Sequence, residues 1–64
     1  MSIKEKLVWI INFYRSHVYD GYNELADKFQ TIYDQDLPVN EDDLDWLLAI
    51  LQVIENDLGS FKAS

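Results

Sequence analysis

Apolar residues recur along this chain at helical spacing in three blocks, and no block of useful length alternates as a half-buried strand would. In the first block Ile3, Leu7, Ile10, Ile11, Tyr14 and Val18 form one stripe, while Lys4, Glu5, Asn12, Arg15 and Ser16 fall largely opposite. Trp9 lies outside that stripe. Ser2-Ile3-Lys4-Glu5 has the capping-box pattern, in which a serine oxygen and a glutamate carboxylate satisfy free amides, so a helix is predicted from about Ile3. Asp20-Gly21 predicts its end between His17 and Asp20, because glycine accepts the positive φ of a tight turn.

The second block sets Tyr22, Leu25, Ala26, Phe29, Ile32 and Tyr33 on an arc of about 120°, the mark of a helix with one buried face. Glu24 and Lys28 are placed for an i,i+4 ion pair. Pro38 ends this block, since the residue before a proline is pushed out of helical geometry, and Leu37 or Val39 is free to reach the core. The third block starts with Asn40 as cap and Glu41, Asp42 and Asp43 in the first turn, where negative charge favours the helix dipole. Leu44, Leu47, Leu48, Leu51, Ile54 and Leu58 form its stripe, which Trp46, Ile50 and Val53 widen to about 220°. Gly59 predicts its stop, with Phe61 folding back as an apolar latch. The expectation is one all-α domain over 1–64, a compact three-helix bundle with helices at about 3–18, 21–34 and 41–58 and the broad-faced third helix central.

Composition sharpens this picture. At 64 residues the chain is near the lower limit for folding without a staple, yet 48% of its residues are apolar and only two glycines and one proline interrupt it. The absence of cysteine removes disulfides, thiolate metal sites and a cysteine nucleophile, and fits a reducing, cytoplasmic setting. The longest apolar run, Trp46 to Leu51, is far too short to span a bilayer, and the run after Lys4 and Lys6 lacks the length and cleavage site of a signal peptide. Twelve acids against five bases give a net charge of −7, which disfavours direct contact with nucleic acid or anionic membranes. Six of the acids, Asp34, Asp36, Glu41, Asp42, Asp43 and Asp45, form an acidic surface segment, whereas Lys4, Lys6 and Arg15 cluster in the first block.

Candidate chemistry is sparse. Counted as an EF-hand from Asp34, the acidic segment places Pro38 at the fifth ligand, Val39 at the turn glycine and Asp45 at the bidentate glutamate, so helix capping and solubility explain these acids better. Ser16 and His17 are neighbours on a helix and point about 100° apart, so they do not form a nucleophile–base pair. With one histidine there is no motif for a first-row metal, and no glycine loop cradles a phosphate. Tyr14, Tyr19, Tyr22 and Tyr33 lack the positive groove of a single-strand binder, and a recognition helix opening Glu41-Asp42-Asp43 would meet phosphates with carboxylates.

These readings predict a non-enzymatic protein-interaction module without cofactor, a small regulator or inhibitor acting through an apolar helical surface. Trp46, Ile50 and Val53, with Trp9 and Phe13, are the expected partner interface, most simply in a two-fold homodimer. The alternative is an acidic nucleic-acid mimic that occupies the basic cleft of a DNA- or RNA-binding protein.

Overall fold

Each helix starts on a side chain or backbone feature that the sequence supplies. A computed structural model of the chain describes residues 2–17 and 19–63, with side chains as far as Asp57. Helix α1 (Ile3–Ser16) opens on Ser2, whose Oγ accepts a hydrogen bond from the Glu5 amide at 3.2 Å. His17 leaves the helix in an extended conformation while its amide still donates to the Phe13 carbonyl. Gly21 then turns the chain at φ 84°, and α2 (Tyr22–Gln35) follows. Asp36 closes α2 in the left-handed region at φ 53°, and the Leu37 amide reaches back to the Ile32 carbonyl at 3.1 Å. That is a Schellman-type closure with aspartate where glycine is usual.

Helix α3 (Glu41–Ala63) opens on Asn40, whose Oδ1 accepts from the Asp42 amide at 3.0 Å. The expected stop at Gly59 is not taken, and the helix runs on to Ala63. A helical glycine costs only about 1 kcal/mol relative to alanine, so glycine permits a stop without enforcing one. The core places expected for Val18 and Leu58, and the Phe61 latch, fall outside the described side chains.

The three helices form the expected all-α bundle, but its centre is α1 rather than α3. Both other helices pack on α1, and among the described residues no Cα of α2 comes within 8 Å of one of α3. Lys6 meets Glu41 and Asp45 at the start of α3, and Ser16 and His17 line a cleft with Glu55, so α1 and α3 run parallel. Lys4 meets Tyr33 and Asp36 at the end of α2, so α2 runs antiparallel to α1.

Two properties of the sequence account for this order. On α1 the buried positions Lys6, Leu7, Ile10, Ile11, Phe13 and Tyr14, with half-buried Trp9, span an arc of about 200° at 100° per residue. That is wide enough for two neighbours. The helix charges also alternate in space: α1 carries three bases against one acid, α2 three acids against one base, and α3 six acids against one base. The cationic helix therefore separates two anionic ones that repel each other. Leu7, Ile10, Phe13 and Tyr14 of α1 supply most of the core, joined by Ala26 of α2 and Leu44 and Leu51 of α3. Val39, not Leu37, packs against it from the connector.

Candidate protein-docking face on helix α3

Because α1 covers only the side of α3 that carries Leu44 and Leu51, the remainder of that broad apolar arc has no neighbouring helix among the described residues. Trp46, Ala49, Ile50 and Val53 follow one another at i, i+3, i+4 and i+7 and form a second stripe, set off from the core stripe. Trp46 is 67% exposed and Val53 60%, the two most exposed large hydrophobic side chains described, and Ile50 is half-buried between them. Asp42 and Asp43 lie one turn before Trp46 and Asp57 one turn after Val53, all exposed, so carboxylates bracket the stripe at both ends.

The other two expected interface residues belong elsewhere. Phe13 is only 4% exposed and sits at the hub of an aromatic cluster, stacked on Trp9 at 5.6 Å and on the His17 ring at 4.1 Å between centroids. Trp9 packs half-buried against the core. Both face the α3 side of α1, which a helix with one neighbour would leave to solvent. Trp9, Phe13, Asn12, Ser16, His17 and Glu55 line a shallow cleft of about 150 Å³. The His17 Nδ1 donates to the Phe13 carbonyl at 2.7 Å, which fixes the ring at the end of α1.

The acidic segment divides into paired and unpaired members. Lys6, 7% exposed, reaches Asp45 at 2.6 Å and Glu41 at 2.8 Å, and these bonds hold its ammonium above the ordinary lysine pKa. Lys4 donates to the Tyr33 carbonyl at 2.8 Å, lies 4.4 Å from the centre of the Tyr33 ring and is 3.6 Å from Asp36. It places positive charge at the C-terminus of α2, where the helix dipole favours it. Asp34 accepts a hydrogen bond from Gln30, which leaves Asp42 and Asp43 as the segment's members without a side-chain partner among the described residues. Three of the six acids thus serve the bundle's own assembly.

The Lys6 clamp is the feature that sequence reading missed, and a signal for it existed. Lys6 projects between Ile10 and Phe13 on the helical wheel, so a partly buried ammonium needed carboxylates from another element. Among the described residues, no group of three histidine, aspartate or glutamate side chains could hold a metal ion. Among the same residues, no helix is long and apolar enough to cross a membrane. Compared with known proteins, the chain matches no family model, no curated protein and no solved structure.

Proposed function

We propose that this protein is a non-enzymatic interaction module, a small regulator or inhibitor in kind, that works by presenting the outer face of α3 to a protein partner. The observation that carries the reading is the exposure of Trp46 and Val53 on a continuous helical stripe. A solvated tryptophan on an ordered helix forfeits more burial than any other side chain, and tryptophan is enriched at the centres of interfaces. The core is built without it: Leu44 and Leu51 make the contact with α1, and Trp46 is not among the residues packed against them.

The acidic surface supports a nucleic-acid mimic less well, because Lys4 and Lys6 hold Asp36, Glu41 and Asp45. The test is affinity capture from the native host's lysate with wild type and with Trp46→Glu. The expected outcome is a protein retained by wild type and lost with the variant. Identical captures would overturn the reading. A homodimer is the version of this reading that needs no second protein, and it predicts a wild-type dimer at micromolar concentration in sedimentation that Trp46→Glu disperses.

A further inference from the structure

We propose that the occupant of the α3 face is a cationic amphipathic helix of another protein. The inference rests on the reading above and selects among the partners it allows. Three observations on the face bear on the choice. The first is shape: Trp46, Ile50 and Val53 run as a straight apolar ridge about 10 Å long, and the small Ala49 beside them leaves a notch into which a facing side chain fits. Ridges and notches of this period are what an apolar helix stripe packs against.

The second is charge. Asp42 and Asp43 at one end and Asp57 at the other are exposed, and none takes part in an ion pair among the described residues. A partner with lysine or arginine flanking its own apolar stripe meets carboxylates at both ends. The third is the chain's own supply of bases. Of the chain's five bases, Lys4, Lys6 and Arg15 are committed to Asp36, to Glu41 with Asp45, and to Asp27, and Lys28 lies on α2, which does not touch α3 among the described residues. A second copy laid along this face would bring acids against acids whichever way it ran: parallel, each carboxylate faces its own counterpart, and antiparallel, Asp57 faces Asp42 and Asp43. Charge therefore selects a basic helix over self-pairing.

The experiment is calorimetric titration of the full chain with three synthetic amphipathic peptides of equal length and identical leucine stripe, whose polar positions are all lysine, all glutamine or all glutamate. Wild type should bind the leucine–lysine peptide, bind the leucine–glutamine peptide about tenfold more weakly or worse, and not bind the leucine–glutamate peptide. Trp46→Glu should weaken the leucine–lysine peptide by about tenfold or more, although it adds a negative charge. Asp42→Asn with Asp43→Asn and Asp57→Asn should bring the leucine–lysine peptide to the glutamine peptide's affinity. Circular dichroism checks that both variants keep the wild-type helical signal.

Equal binding of lysine and glutamine peptides would overturn the cationic partner and leave the docking face standing. Undiminished binding to Trp46→Glu would reduce the interaction to attraction between net charges and overturn it as well. A wild-type dimer that Trp46→Glu disperses would give the face to a second copy. No Trp46-dependent binding to any peptide, with no protein lost from Trp46→Glu captures, would remove both the inference and the reading beneath it.

Discussion

Lys6 is the residue on which the parallel packing of α1 and α3 turns. Parallel helices set like dipole ends side by side, and the ammonium with the carboxylates of Asp45 and Glu41 places opposite charges at that junction. Hydrogen bonds to Asp45 and then Glu41 raise its pKa from 10.5, outweighing the opposing effect of desolvation. Tyr14 is also raised from its ordinary 10.0, first by desolvation and then by the proximity of Tyr22. In both cases the folded-state pKa exceeds the unfolded one, so the protonated form is favoured in the bundle. The stabilisation is fully present below the ordinary value and is lost as pH climbs through the raised one. The protein should therefore lose helical signal in an alkaline titration. Lys6→Met should remove the lysine's share of that pH dependence and Tyr14→Phe the tyrosine's. A Lys6→Met curve with the same alkaline slope as wild type would show that the clamp carries no linkage.

At the scale of elements, α1 and α3 start on side-chain caps, whereas α2 starts on Gly21 without one and is held at its end by backbone closure. Asn40 is both the side-chain acceptor for the Asp42 amide and the carbonyl acceptor for the Leu44 amide at 3.2 Å. Asn40→Ala removes the first of these and should lower stability by about 1 kcal/mol, read as a shifted denaturant midpoint at unchanged slope. An unchanged midpoint would mean that water replaces the cap without loss. The capped starts were also what the sequence displayed best, because Ser2 and Asn40 act through local chemistry that three or four residues determine, and Gly21 was legible as the turn that ends α1. The existence of the helices and the buried places of Leu7, Ile10, Ile11, Tyr14, Ala26, Leu44 and Leu51 were legible from periodicity alone.

What periodicity does not carry is which helix sits between the others. Breadth of the apolar arc pointed to α3, but an arc can be broad because one part is left for solvent or a partner, as Trp46 and Val53 show. On α1 the comparable breadth was hidden, since Lys6 reads as polar and Phe13 and Trp9 fell off the narrow stripe. The Glu24–Lys28 pair likewise gave way to a tertiary one: among the described residues Asp27 pairs with Arg15 of α1 at 3.4 Å, and no pair joins Glu24 to Lys28. For the candidate face, Trp46, Ile50 and Val53 were legible as surplus, while the fate of Phe13 depended on the helix order.

Across the whole molecule, the central position of α1 has a consequence in time. The first helix in the sequence is the template for both others, and its two faces become useful at different separations along the chain. The rings of Tyr14 and Tyr22 meet 5.0 Å apart across a short turn, whereas Lys6 finds Glu41 only across a sequence separation of 35 residues. Closing the nearer contacts costs less chain entropy, so the α1–α2 hairpin should assemble first and α3 should dock onto its open side. Ala26→Gly, worth about 1 kcal/mol through helix propensity at a buried site, should then act mainly by slowing folding. Ile54→Ala, a half-buried truncation worth about 1–2 kcal/mol, should act mainly by speeding unfolding. Stopped-flow chevrons of the two variants decide the order, and the reverse partition would make α3 part of the nucleus. During synthesis the same order would let α1 and α2 take shape as a hairpin while α3 is still emerging, so that the face proposed for docking comes into being only after the surface that α1 and α2 share is already shut.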